Sequence, residues 1–389
     1  MSTGINEHPS TTKPTDAKRI AIIGSGYFSG FHIAAWQRLG VTITGLFTLD
    51  ADSGIAHIER FALPGLYDNL QALLDDAPDL VDIIVPPEAQ LELIKSIADR
   101  GIPIICQKPF CHDLDQAIEA ADYCAKRQVA LVVHENFRHQ PWYNTIRQLL
   151  VEGLAGELYQ ATFRLRPGDG QGPDAYLARQ PYFQQQPRFL VRETAVHFID
   201  VFRYLFGEID QVFASLTRLN PVIKGEDAGL MLFQHTSGLR TVIDANRLTD
   251  HASTNPRLTM GEFVIEGAFG QISLDGFGAI RWRAHGSANS RLIEYDWYDN
   301  DFGGDCVFLT QQHILERLFD YQQALVQHAD PSEVEKSGTA ISGNAAMPDN
   351  TATAYLRNRC LESAAYLSSE QGVWVPVPAN LEHAKLTAS

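Results

Sequence analysis

Cysteine is scarce in this chain. Five thiols (Cys106, Cys111, Cys124, Cys306 and Cys360) in 389 residues are an odd count with no C-x-x-C and no Cys/His pair at zinc-ligand spacing. That excludes a disulfide framework and a zinc ribbon, and the five read as reduced thiols. Long apolar runs are also missing: no stretch approaches the ~18 apolar residues of a membrane span. Residues 1–17 are polar and rich in Ser, Thr and Pro, without the apolar core of a signal peptide. A cytoplasmic protein with no membrane partner is therefore expected. Positive charge is in deficit, with 31 Lys and Arg against 47 Asp and Glu and a net charge of −16. Such a balance repels phosphate backbones, so nucleic acid is not an expected partner. No internal repeat is present.

What the chain does have is apolar residues at 45% and aromatics at 10%, enough for cores that need no metal or disulfide. Short apolar runs at Ile20 to Ile23, Val41 to Phe47, Leu80 to Val85, Ile102 to Cys106 and Val129 to Val133 alternate with helical segments. Leu91, Ile94, Ile97 and Ala98 fall at helical spacing ahead of Gly101, and Asp113 with Gln116 marks a capped helix start. This alternation predicts an α/β unit over 18–139, a doubly wound parallel sheet covered on both faces. Beyond Pro141 the grammar changes. Helices near Trp142 to Glu152 and Phe189 to Phe206 are followed by runs at Gln211 to Leu219, Gly229 to His235, Leu239 to Ala245, Gly261 to Ile265 and Gln271 to Leu274, with no helix between them. Residues 140–377 are thus expected to form an α+β domain on a mostly antiparallel sheet. A long helix near Gly304 to Gln327, a polar insertion over 331–350, a final helix over 351–367 and tails at 1–17 and 378–389 complete the division.

The first strand meets a turn, Gly24-Ser-Gly26-Tyr27-Phe28-Ser-Gly30-Phe-His32. Glycines there let a strand turn sharply into a helix while backbone amides approach a pyrophosphate, the geometry of a dinucleotide site. At the end of the second strand, where an acidic residue would grip the adenosine ribose, stands Thr48; Asp50 and Asp52 follow, and no Lys or Arg lies between Val41 and Arg60. The cation needed for a 2′-phosphate is missing, which favours NAD over NADP without excluding NADP. Lys108, directly after a buried strand, projects its ammonium at the carboxyl edge of the sheet, the ligand side of such folds. Glu193, His197 and Asp200, separated by four and three residues, are expected to line one face of a helix. An imidazole there can take a hydroxyl proton near neutral pH, whereas a purely structural role pairs Asp200 with a cation and buries His197.

The chain resembles the glucose-fructose oxidoreductase, inositol dehydrogenase and rhizopine catabolism (Gfo/Idh/MocA) family over nearly all of residues 18 to 377. The turn with His32, the stretch Val85-Pro86-Pro87-Glu88-Ala89-Gln90 at the place of T-P-P-x-x-H, Gln107-Lys108-Pro109 at the place of E-K-P, the run Val133-His134-Glu135-Asn136-Phe137-Arg138, and Glu193-x-x-x-His197 carry the likeness in order. It implies a Rossmann unit followed by a substrate and oligomerisation domain; the one broad sheet face of the β-rich second domain, buried against a copy of itself, gives the expectation of a homodimer or homotetramer. The implied activity is hydride transfer between NAD(P) and a secondary alcohol of a sugar, cyclitol or sugar acid. Lys108, His197 and Glu193 are the implied catalytic groups: Lys108 on the substrate oxygen, His197 as general base, Glu193 orienting its ring or binding a sugar hydroxyl. The implied cofactor contacts are Gly24, Gly26, Tyr27, Phe28, Thr48, Pro86, Gln90, Gln107, Lys108 and Arg138. For the substrate, the candidates are Asn136, Arg138, Tyr182, Arg192 and Asp200, and no metal is expected. Two other readings stand beside this one: glycoside cleavage by transient oxidation and elimination, and a cofactor-binding regulator without chemistry.

Overall fold

The structure is a computed structural model that describes residues 17–300, 302–327 and 347–377. The N-terminal segment 1–16, most of the polar insertion and the tail 378–389 lie outside the described residues. The first sheet holds five parallel strands in the order β2-β1-β3-β4-β5, formed by Arg19–Ile23 (β1), Thr42–Phe47 (β2), Leu80–Ile83 (β3), Ile104–Gln107 (β4) and Leu131–His134 (β5). Their residues are buried on both faces, as a parallel sheet covered by helices requires. The connecting helices are Ser29–Arg38 (α1), Ala51–Phe61 (α2), Leu70–Asp75 (α3), Gln90–Ala98 (α4) and Leu114–Lys126 (α5). Three begin on side-chain caps, since Asp50, Asn69 and Asp113 accept from Ser53, Ala72 and Gln116 backbone amides. Helix α1 has no side-chain cap.

After Pro141–Val151 (α6), a nine-stranded sheet runs β13-β12-β11-β10-β6-β9-β8-β7-β14. Its strands are Leu158–Leu165 (β6), Ile209–Thr217 (β7), Ala228–His235 (β8), Arg240–Asn246 (β9), Gly261–Gly267 (β10), Gly270–Leu274 (β11), Ile280–Ala284 (β12), Arg291–Ile293 (β13) and Val375–Pro376 (β14). Every pair is antiparallel except β6 with β9, so the sheet is mixed and mostly antiparallel. Helix Val196–Phe206 (α7) lies on its inner face, where Phe198 stacks on Phe163 at 4.0 Å and Phe202 on Phe263 at 5.7 Å.

The last two helices cross the boundary expected at residue 139. Ile314, Leu318 and Tyr321 of Cys306–Gln327 (α8) pack in one core with Ile20 and Ile22 of β1 and Trp36 of α1. Ala352–Gln371 (α9) starts in the first core through Tyr355 and Leu356 and ends in the second through Leu361 and Ala365. Chain order therefore divides the strands cleanly but not the packing, and α9 ties the two halves together beside the cleft.

Candidate active site

The glycine turn is built as an anion cradle. Gly24 adopts φ 106°, and a Cβ there would sit 2.1 Å from the Ile84 carbonyl oxygen, so only glycine fits between β1 and β3. At Gly26 a Cβ would meet open space; the residue leaves room for a ligand beside the uncapped N-terminus of α1, whose first-turn amides favour negative charge. Tyr27 is half exposed at this mouth, and Phe28 packs edge-on to His32. At the far end Thr48 shares a hydrogen bond with Ser25 (2.8 Å), and Asp50 is exposed just beyond it. These donors, cavity and charges fit the two phosphates and ribose of NAD. A cation that the stretch between Val41 and Arg60 lacks does arrive from the other half of the chain: Arg257 donates to the Tyr27 hydroxyl at 3.3 Å. It stands at the phosphate turn rather than at Thr48, so it supplies nothing specific to a 2′-phosphate.

At the carboxyl edge of the sheet, Lys108 of the first half meets Glu193 of the second. Its Nζ donates to the Glu193 carbonyl at 3.0 Å and lies 3.4 Å from the carboxylate Oε2. The other carboxylate oxygen accepts from Gln186 Nε2 at 2.8 Å. Glu193 therefore does not orient His197. The reason is the helix itself: Leu190–Ala195 forms a π-helical segment whose wider turn is closed by Val196 N–H to Val191 C=O, so the i, i+4 stacking of a regular helix fails across positions 193 and 197. The segment is fixed at its start by Glu226, which accepts from the Phe189 and Val191 amides and the Tyr366 hydroxyl. Burial pushes the Glu226 carboxyl above its ordinary value, although these donors oppose the shift.

The carboxylate that does hold His197 is Glu135, fully buried one residue beyond β5. Its Oε1 pairs with His197 Nδ1, its Oε2 accepts from Tyr355 at 3.2 Å, and the imidazole stacks on Phe137 at 3.9 Å with planes 8° apart. With Nδ1 bound to a carboxylate, the proton sits on Nδ1 and the lone pair on Nε2, the tautomer a general base needs. Ring stacking fixes the remaining rotation. Glu135 belongs to the motif read in the sequence, but nothing there distinguished it from its neighbours.

Several expected contacts are turned inward. Arg138 makes two 2.7 Å bonds to Asp200, which also accepts from Asn358 at 2.7 Å. Burial pushes Asp200 up, yet the guanidinium more than offsets it and holds the carboxyl below its usual range. Both residues are used on each other, and Asp200 is wholly buried, so neither is available to substrate or cofactor. Asn136 is buried and donates to Cys306 Sγ. Gln90 spends its amide on the Gln107 and Val85 carbonyls and the Cys111 N–H, bracing the turn rather than meeting a cofactor. Arg192 is paired with Glu362 and the Cys111 and His112 carbonyls. Pro86 is exposed at the end of β3, and Tyr182 is half exposed with its phenol pushed up to about 12 by desolvation and then by the Glu193 charge. His134 does not face the cleft: it is buried, and desolvation followed by His32 holds its pKa well below the ordinary value. His139, His313 and Asp349 lie close enough to suggest a cation site, but Asp349 N–H donates to His313 Nε2 and the Arg138 guanidinium is 3.7 Å from the Asp349 carboxylate. His313 Nε2 and the Asp349 carboxylate are thus already engaged.

Residues 18–135 match the oxidoreductase family with an NAD-binding Rossmann fold, GFO_IDH_MocA, and residues 143–273 match the GFO/IDH/MocA C-terminal domain. The chain belongs to the Gfo/Idh/MocA family of oxidoreductases. D-apiose dehydrogenase from Paraburkholderia graminis is 32% identical over 266 residues, 67% of this chain and 68% of the relative. Levoglucosan dehydrogenase from Pseudarthrobacter phenanthrenivorans is 23% identical over 213 residues, covering 52% and 54% of the two chains. An oxidoreductase from Agrobacterium radiobacter, crystallised with NAD+, L-tartaric acid and magnesium, superposes with a TM-score of 0.75 at 24% identity, covering 92% of this chain and 98% of that one. As a member of this family the chain is an oxidoreductase with an NAD-binding Rossmann unit.

Proposed function

We propose that the chain oxidises a secondary alcohol of a neutral sugar or cyclitol, with the reacting hydroxyl held between Lys108 Nζ and His197 Nε2. The single observation that carries this is that, just beyond the ends of the neighbouring strands β4 and β5, Lys108 docks on Glu193 while buried Glu135 sets the tautomer of His197, four residues further along the same segment. NAD, when bound at the glycine turn, supplies the hydride acceptor. His197 Nε2 takes the hydroxyl proton, and the charge this leaves on the imidazole is met by Glu135. Lys108 stabilises the negative charge that develops on the oxygen, from a site where little water competes. Glu193 anchors the lysine and, with Gln186, offers acceptors to neighbouring hydroxyls; Gln186 Oε1 is buried with no partner among the described residues.

Neutral substrates fit better than sugar acids. Arg138, Arg179, Arg192 and Arg247 are each paired with a carboxylate (Asp200, Asp169, Glu362 and Asp169), so none is spare for a substrate carboxylate. Tyr182 and Gln186 lie on a loop pinned through the Asp169 and Arg247 pair, which gives the hydroxyl-binding wall a rigid base. The outer face of the nine-stranded sheet carries exposed Leu230 and Leu292, which supports a homo-oligomer, and the strands support a cofactor unit to residue 139 followed by a substrate unit. Incubation with NAD and a panel of neutral aldoses, cyclitols and aldonates tests the reading. Net NADH formation with a neutral member supports it; cleavage of a glycoside without net NADH, or turnover restricted to acids, overturns it.

A further inference from the structure

Beneath Lys108 lies a buried chain of polar groups whose protons can be assigned one by one. The Lys108 backbone N–H can only donate, and it faces a side-chain atom of Gln107 at 2.7 Å; that atom must be the amide oxygen. The amide nitrogen then faces His32 Nε2 at 2.9 Å and donates to it, so Nε2 carries a lone pair and the ring proton lies on Nδ1. His32 Nδ1 donates in turn to Asp82 Oδ2 at 2.8 Å, which also accepts from Trp36 Nε1 at 2.8 Å. His32 and Asp82 are wholly buried and Gln107 nearly so. These contacts leave one arrangement of the donors and acceptors between Lys108 and Asp82, although Asp82 Oδ1 is buried with no partner among the described residues.

We propose that His32, held in this neutral tautomer by Asp82, is a positioning residue that fixes the Gln107 amide and through it the backbone from which Lys108 reaches the substrate. This rests on the reading of Lys108 as the oxygen-binding group. It also explains the glutamine at position 107. A glutamate there could accept from the Lys108 N–H with one oxygen only by turning the other, an acceptor, towards the lone pair of His32 Nε2. The pair would then have to take up a proton from solvent, on the imidazole or on the carboxylate, to close the contact between residue 107 and His32. Glutamine lets the chain close without that proton. The other groups facing His32 are the His134 ring, 4.1 Å away and held neutral by burial, Phe28 and Trp36; none supplies a competing charge.

Three variants test the idea. His32→Gln keeps a donor towards Asp82 and an acceptor towards Gln107 but cannot be protonated. Gln107→Glu keeps its function only while the pair holds the extra proton. The double variant loses the imidazole as a carrier of that proton and leaves only the buried glutamate carboxyl to take it up. We expect His32→Gln to keep kcat and the thermal midpoint near wild type, with a pH profile of unchanged shape. Gln107→Glu should be active at pH 6 and lose about tenfold or more by pH 9, a limb absent from wild type. The double variant should fall about 100-fold below Gln107→Glu at pH 6 and melt earlier than the single effects sum to. Additive effects of the two changes on the melting midpoint, or a Gln107→Glu profile that superposes on wild type, overturn the proposal. The coupling on the melting midpoint needs no turnover, so it stands or falls apart from Lys108: a Lys108→Ala variant with full activity sinks the lysine's role and leaves the His32 and Gln107 coupling to be judged on its own.

Discussion

Replacing Glu135 by Gln separates the two carboxylates near His197. The change removes one buried charge and keeps the size of the side chain. The amide oxygen can stay on His197 Nδ1 while its NH2 turns to the Tyr355 hydroxyl, which can rotate to accept. Tautomer and fold are thereby kept, and what is lost is the charge that favours the imidazolium. A hydrogen bond to a charged partner in a buried site contributes about 1.5–3 kcal/mol, which corresponds to roughly 1–2 pH units of base strength. The imidazolium is disfavoured, so the acidic limb of the kcat/KM profile should move to lower pH by about that amount, while kcat falls about 10- to 100-fold. NAD affinity should change little. Glu193→Gln should leave the limb in place and act through Lys108 and the substrate hydroxyls. Steady-state kinetics from pH 5 to 9 on both variants decide the matter. If Glu193→Gln moves the limb and Glu135→Gln does not, the assignment of Glu135 as the partner of the base is wrong.

Calorimetric titration should show NAD bound at least as tightly as NADP, because Thr48, Asp50 and the absence of a cation between Val41 and Arg60 leave a 2′-phosphate unanswered; a tenfold preference for NADP would contradict this. Asp200→Ala should cost about 3–5 kcal/mol in urea unfolding, the scale for leaving a buried charge such as Arg138 without its partner, with KM unchanged in whatever activity survives. Native stability with a raised KM would return Asp200 to the substrate. His134, His139, His235 and His313 all have pKa values lowered by burial first of all. The native state therefore binds fewer protons than the unfolded one below the ordinary histidine range. Stability is full above about pH 6.5 and is lost as pH falls through the window beneath it, by up to about 1.4 kcal/mol per pH unit for each group. Melting curves between pH 7.5 and 5.5 should fall accordingly, and less steeply for His134→Phe; a flat midpoint would contradict the burial argument.

Periodicity and turn chemistry made the parallel sheet, the glycine turn and the antiparallel character of the second half legible, because each rests on local pattern. The short strands β12 to β14 and the parallel β6 to β9 pairing did not show, since they depend on sheet partners far along the chain. Lys108, Glu193 and His197 were visible as types at motif positions, and the structure brings them to one edge of the sheet. Their pairing was not visible. The expected Glu193 to His197 contact assumed a regular helix, and the π-helical turn at Leu190–Ala195 is held by Glu226 from a distant loop. Arg138 and Asp200 read as cleft groups by position, but only packing shows that each consumes the other. Gln107 read as a departure from the family's glutamate becomes intelligible once His32 and Asp82 are seen behind it.

The central claim is that hydride leaves a carbon whose hydroxyl is held by Lys108 and His197. It is tested most directly by oxidising a neutral sugar deuterated at the reacting carbon and recovering the cofactor. The account predicts deuterium on the reduced nicotinamide, one per sugar oxidised. It also predicts a rate at least about 100-fold lower in both Lys108→Ala and His197→Ala, with NAD affinity nearly unchanged for His197→Ala. Deuterium released to solvent with no labelled NADH, or full rates in both variants, would contradict it.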